Sequence, residues 1–178
     1  MHYFLLDANV LVAYYCKDEP EEIRSRVGDL FAARAQGKAF LYVPNFCVAE
    51  VLKAFAKKCW QEKIYDASDF GEFRRTFLAD VVDSKVLYSY ELSRRHIKMT
   101  DRILERAAKL SFRTGSPPSA LDLLIIAMGT DLSQVHGSAN LHIVTAERPI
   151  FDVCQQGDDL PKVLHVGERE IPDILLRG

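Results

Sequence analysis

Short apolar runs that end at a turn, alternating with stretches of helical spacing, constrain this chain more than any other feature. Tyr3–Leu6, Ala39–Val43, Lys85–Glu91, Leu141–Thr145 and Val163–Val166 read as strands. Between them lie helical patterns. Asn9–Tyr15 is short. Glu19–Ala35 places Ile23, Val27, Leu30 and Phe31 on one face and is stopped by Gly37. Asn45 is the expected N-cap of a helix to about Gln61, and Thr100 of one to about Phe112. Ser68–Asp80 is a further helix. Ser119 caps an apolar helix that runs through Met128 and a few residues further. Gly115-Ser116-Pro117-Pro118 and Gly137-Ser138-Ala139-Asn140 read as turns. Alternation of this kind means βαβ units around a mainly parallel sheet with helices on both faces.

The 178 residues show no internal repeat or linker, so one domain spanning 1–178 is expected. No apolar run approaches the ~18–20 residues of a spanning helix. The apolar start is broken by Asp7 and Asn9 and lacks a basic leader, which fits a strand and not a signal peptide. Cys16, Cys47, Cys59 and Cys154 form no Cys-x-x-Cys pair. Buried free thiols in a reducing cytoplasm are the expectation.

The net charge of −2 excludes strong bulk attraction to nucleic acid, but the charge is uneven. Residues 51–115 hold 14 Lys and Arg against 9 Asp and Glu. This basic excess includes Lys53, Lys57, Lys58, Arg74, Arg75, Arg94, Arg95, Lys98, Arg102, Arg106 and Lys109. It reads either as solvated helix faces or as a surface for phosphates.

Four acids stand where such a sheet does not need them. Asp7 closes the first strand and Glu147 follows the fourth. In an open parallel sheet, ligands bind outside the carboxyl ends of the strands. Glu50 sits in Phe46-Cys47-Val48-Ala49-Glu50-Val51-Leu52, apolar on nearly every side, and Asp122 falls in the first turn after Ser119. Each has a structural alternative: Asp7 as a helix cap, Glu50 paired with Lys53, Asp122 in a capping box, Glu147 at a surface turn. Their joint placement in a doubly wound fold brings them to one pocket. Their mutual repulsion there calls for a cation. Oxygen ligands without His or Cys point to Mg²⁺ or Mn²⁺, which serve in-line displacement at phosphate.

Leu5-Leu6-Asp7-Ala8-Asn9-Val10-Leu11, Val43-Pro44-Asn45-Phe46-Cys47-Val48-Ala49-Glu50-Val51-Leu52, Ser119-Ala120-Leu121-Asp122-Leu123-Leu124-Ile125-Ile126-Ala127 and Ile143-Val144-Thr145-Ala146-Glu147 together resemble a PIN-domain nuclease. The resemblance spans most of the chain. It implies a three-layer α/β/α sandwich and metal-dependent cleavage of RNA phosphodiesters. Asp7, Glu50, Asp122 and Glu147 would form the metal site, with Asn9 and Thr145 supporting it by hydrogen bonding. Many small bacterial members are toxins of the VapC type, held inactive by an antitoxin, and commonly dimerise. Two departures stand out. The fourth acid is Glu where Asp is usual, and the chain is longer than a minimal VapC-type toxin, with the added length in Lys17–Gln36 and Ser84–Lys98. A haloacid-dehalogenase-like phosphatase would need a second Asp where Asn9 stands. An inert PIN fold that binds RNA or protein is the alternative to an enzyme.

Overall fold

The structure is a computed structural model that describes residues 1–83, 86–114, 118–168, 171–172 and 175–176. Its elements run β1 (His2–Leu6), α1 (Ala8–Tyr15), α2 (Glu21–Ala35), β2 (Ala39–Pro44), α3 (Asn45–Trp60), α4 (Ala67–Val82), β3 (Leu87–Tyr90), α5 (Arg94–Thr114), α6 (Ala120–His136), β4 (Leu141–Thr145), α7 (Arg148–Cys154) and β5 (Lys162–His165). All five strands pair in parallel, in the order β3-β2-β1-β4-β5. The mainly parallel α/β/α expectation is met.

Right-handed crossovers decide which helices cover which face. Leaving β1 toward β2 and β3, the chain lays α1 to α4 on one face. Returning from β3 to β4 and β5, it lays α6 and α7 on the other, with α5 packed outside them against α6 and α7. The direction of winding therefore reverses between β1 and β4. That switch point opens a crevice at the carboxyl ends of the two strands, and a doubly wound fold binds its ligands there. The strands beside it are the most buried. Phe4, Leu5 and Leu6 of β1 and Leu141, Ile143 and Val144 of β4 are fully buried, as an inner parallel strand requires.

Caps and glycines set the local geometry. Gly37 and Gly137 hold φ of +71° and +86° where α2 and α6 end. Asp66 and Asp69 form a reciprocal capping box at α4. Gly129 on α6 lies against β4. A Cβ there would stand 2.7 Å from Ile143 Cδ1 and 3.2 Å from Pro161 Cγ, both in packed surroundings. Gly129→Val is therefore expected to cost about 2 kcal/mol by overpacking. It should show as a fall in Tm of about 4–8 °C. An unchanged melt would mean that α6 shifts freely off β4.

Several boundaries differ from the sequence reading. Asn45 is the first residue of α3 and not its cap, which is Pro44. The Asn45 side-chain oxygen instead accepts from Leu92 N–H at 3.3 Å, tying α3 to the segment after β3. Thr100 lies inside α5, which starts six residues earlier at Arg94. Its hydroxyl donates back to the His96 carbonyl at 2.9 Å. His96 Nδ1 accepts from Ser93 N–H at 3.0 Å, so a histidine side chain satisfies a donor where the helix begins. Helix α7 was not foreseen, although Pro149 in its first turn is a helix-start signal. The last strand lies one residue earlier than expected. Lys85 and Gly115-Ser116-Pro117 lie outside the described residues. All four cysteines are free and buried. No described helix is long and apolar enough to cross a membrane.

Candidate active site

The crevice between β1 and β4 contains a cavity of about 480 Å³. Asp7, Asn9, Glu50, Asp122 and Glu147 all line it, together with Glu19. The four acids separated by up to 140 positions in the sequence thus share one wall-to-wall space. Its remaining wall is largely aliphatic, from Val12, Ala13, Ile23, Ala54, Leu121 and Ile125.

Asp7 is placed by β1 itself. Its backbone N–H donates to the Val144 carbonyl at 3.0 Å, continuing the β1–β4 ladder by one step. The side chain then caps α1, accepting from Ala8 N–H at 2.6 Å through Oδ1. Oδ2 accepts from Thr145 Oγ1 at 2.8 Å and from Asn9 Nδ2 at 2.9 Å. The cap role and the site role therefore fall on one carboxyl group, each oxygen serving one of them.

Asn9 and Thr145 weld the two strand ends together. The Asn9 amide also donates to Glu147 Oε1 at 3.3 Å, and its carbonyl accepts from Ala146 N–H at 3.1 Å. Thr145 Oγ1 accepts from Glu147 N–H at 2.8 Å while donating to Asp7. Glu147 occupies the N-cap position of α7 without using its side chain as a cap. The carboxylate is directed across β4 to Asn9 instead, and the extra methylene of glutamate supplies the reach.

Asp122 forms a reciprocal capping box with Ser119. Its Oδ2 accepts from Ser119 N–H at 2.6 Å, and its N–H donates to Ser119 Oγ at 3.2 Å. Glu50 is half-buried on α3 above the Cys47 thiol. Burial, together with the charges of Asp7 and Glu50 and a hydrogen bond to Glu50, pushes that thiol far above its ordinary range. No ion pair between Glu50 and Lys53 occurs among the described residues.

Asp7 is only 5% exposed, and its carboxyl is pushed up to about 6. Burial is the main cause. The charges of Asp122 and Glu147 add to it, while the bonds from Thr145 and Ala8 oppose it. The cavity lining carries five carboxylates and no Lys or Arg. Apart from Glu19, none of these carboxylates has an ion-pair partner among the described residues, and the oxygen donors are the set of a hard cation. Among the described residues, no three His, Cys, Asp or Glu side chains already stand close enough to clasp a metal ion directly.

Glu19 escaped the sequence reading. It precedes Pro20 at the start of α2 with no pattern to single it out, and only the tertiary packing brings it to the cavity. Its Oε1 pairs with Lys58 Nζ at 2.8 Å, and Lys58 also pairs with Asp18. Burial disfavours the Lys58 charge, but these two carboxylates outweigh it and raise its pKa. Lys58 is thus neutralised, and Lys57 is paired with Glu62 at 2.7 Å. Both of these lysines of the basic segment therefore stand in ion pairs.

The overall arrangement is similar to three solved complexes. One is VapBC2 from Rickettsia felis, solved bound to a DNA fragment from their promoter. It has 14% identity, covers 91% of this chain and 97% of that one, and has a TM-score of 0.55. VapBC-1 from nontypeable Haemophilus influenzae has 14% identity, 93% and 99% coverage, and a TM-score of 0.55. FitAB bound to an IR36 DNA fragment has 14% identity, 94% and 98% coverage, and a TM-score of 0.62. The fold is PIN-like. No family model matches the sequence, and neither does any curated protein. What relates the PIN-like chain to these structures is therefore its architecture, carried over nearly the full length of each chain at low identity.

Proposed function

We propose that this PIN-like protein is a metal-dependent ribonuclease, with Asp7, Glu50, Asp122 and Glu147 as its metal site. The observation that carries the reading is the meeting of all four acids in one cavity at the β1–β4 switch point, around a carboxyl group already pushed up to about 6. Such a charge cluster is costly unless a cation offsets it. The oxygen-only donors fit Mg²⁺ or Mn²⁺. Mg²⁺ keeps several waters and meets outer carboxylates through them, which suits carboxylates spread around a cavity.

When bound, such an ion polarises the phosphate and lowers the pKa of water beside it. The rest is done by the chain. Thr145 and Asn9 hold Asp7 Oδ2 in one orientation, and Ala8 holds Oδ1. Ser119 N–H holds Asp122, a residue of the cavity lining, through Oδ2. The aliphatic wall around Val12 and Ile125 excludes water from one side, which strengthens each electrostatic contact. A VapC-type toxin role with an antitoxin partner goes with the resemblance in sequence. The likeness to VapBC2 and VapBC-1 supports it.

The test is cleavage of single-stranded RNA with Mn²⁺, with EDTA, and with Mn²⁺ restored, beside Mn²⁺ calorimetry. Loss in EDTA and recovery on Mn²⁺ is expected. Absence of both cleavage and Mn²⁺ uptake would overturn the enzyme reading. Glu147→Gln refines it, because glutamine keeps an oxygen for Asn9 and removes only the charge. The Mn²⁺ needed for half-maximal activity is expected to rise about tenfold, with the melt unchanged. Wild-type metal dependence in this variant would remove Glu147 from the site.

A further inference from the structure

We infer that the outer face of α5 is the track on which single-stranded RNA reaches the cavity, through a stripe of Arg94, Lys98 and Arg102. This inference rests on the ribonuclease reading. Between residues 94 and 109 the helix carries six Lys and Arg against two carboxylates, the densest positive charge in the sequence. The structure divides these cations. Arg95 is spent on Asp131, Arg106 on Asp159 and Lys109 on Glu105. Arg94, Lys98 and Arg102 are exposed and enter no ion pair among the described residues. Elsewhere in the basic segment, Lys57 and Lys58 are tied to carboxylates.

The geometry suits an extended polyanion. Residues four apart on a helix rise about 6 Å and turn by only 40°, so the three cations form one row. Ile97, 57% exposed, lies about 60° round the helix from Arg94 and offers an aliphatic contact for a base. Helix α5 packs against α6, whose first turn carries Asp122 at the cavity. The negative cavity repels phosphate unless a cation occupies it, so the chain needs a grip outside it. α5 supplies that grip on the face that also carries α6 and its Asp122.

The experiment measures binding of a labelled single-stranded RNA of about 15 nucleotides by anisotropy, in EDTA, across a salt series. The variants are Arg94→Gln/Lys98→Gln/Arg102→Gln and, on the opposite face, Arg74→Gln/Arg75→Gln. Glutamine preserves helix propensity, and circular dichroism confirms folding. The α5 triple is expected to weaken binding about tenfold or more at low salt. It should lower the slope of log affinity against log salt by about 2, at about 0.7 per cation on a single strand. The α4 pair should change neither. Equal loss in both variants, or none in the triple, would overturn the track. Poly-glutamate binding as tightly as RNA, with the same response to the triple, would also overturn it and make the stripe a surface for acidic proteins. Failure of the ribonuclease reading shows separately, as absent Mn²⁺-dependent cleavage of a dinucleotide too short to touch α5.

Discussion

Replacing Asp7 by asparagine is expected to lower metal-dependent RNA cleavage by at least about 100-fold while leaving the metal-free protein as stable as before, or more so. The activity loss exceeds the 10–100-fold typical of losing an outer partner of a metal ligand, because Asp7 is the acid at the centre of the group. The stability gain follows from linkage. The Asp7 carboxyl rises from 3.8 to about 6 on folding, and at 1.36 kcal/mol per pH unit this corresponds to about 3 kcal/mol. The sign is destabilising at neutral pH. The folded state holds this proton more tightly than the unfolded chain, so stability falls as pH rises from about 4 to about 7, and the full cost stands above that. Asparagine carries no charge and removes the cost. It also places an amide NH₂ among groups that donate to Asp7, namely Ala8 N–H, Thr145 and Asn9, which loses about one hydrogen bond. The net gain is about 1–2 kcal/mol, or about 3–6 °C in Tm at pH 7. Melts of metal-free wild type and Asp7→Asn between pH 4 and 7 check this. The variant should melt slightly below wild type near pH 4, where the lost hydrogen bond outweighs the charge cost, cross it near about pH 5 and lie above it at pH 7. A variant that melts well below wild type at every pH would make Asp7 a structural cap first and a site residue second.

Asp131→Ala should be strongly destabilising although it lies away from the cavity, at about 3 kcal/mol. Asp131 on α6 is 8% exposed and serves three elements. Its Oδ2 accepts from Tyr90 of β3 at 2.5 Å and from His96 Nε2 of α5 at 3.3 Å, while Arg95 Nη1 pairs with Oδ1 at 2.9 Å. His96 Nδ1 accepts from Ser93 N–H, which leaves Nε2 as the donor to Asp131. Burial opposes the Asp131 charge, but Tyr90, His96 and Arg95 together hold its carboxyl below the usual range. Alanine strands a phenol and a buried imidazole N–H without partners, and unmet buried polar groups cost about 1–3 kcal/mol each. The expected fall in Tm is about 6–12 °C. Because this node pins the start of α5 to the body, RNA binding should weaken as well, while Mn²⁺ uptake at the distant cavity stays unchanged. Loss of Mn²⁺ binding in a still-folded Asp131→Ala would show that the two ends of α6 are coupled.

The local sequence carried the sheet, the order of the acids and the two caps beside them. Strand ends are written in consecutive residues. An acid that follows a fully apolar run must sit at the carboxyl edge, whatever the rest of the chain does, so Asp7 and the segment Thr145–Glu147 were legible by position. Asp122 was legible for the same reason, since the Ser119 capping box closes within four residues. Glu50 was legible as an anomaly, an acid in an apolar helix stretch. The reversal of winding between β1 and β4, which turns those positions into one cavity, is not written in any single segment. Three dimensions decided the rest, wherever the partner lies far along the chain. Lys58 reads as a free cation until folding brings Asp18 and Glu19 to it from 40 residues away. Arg94, Lys98 and Arg102 look no different from Arg95 and Arg106 until Asp131 and Asp159 claim the latter two. Asn45 reads as a cap until Leu92 N–H takes its oxygen, and Thr100 as a helix start until His96 satisfies Ser93 and lets α5 begin six residues sooner. Backbone preferences are short-ranged, so patterns of a few residues announce elements and their ends. Charge pairing and burial depend on distance in space, so only the folded chain determines which acids meet and which cations are left to bind.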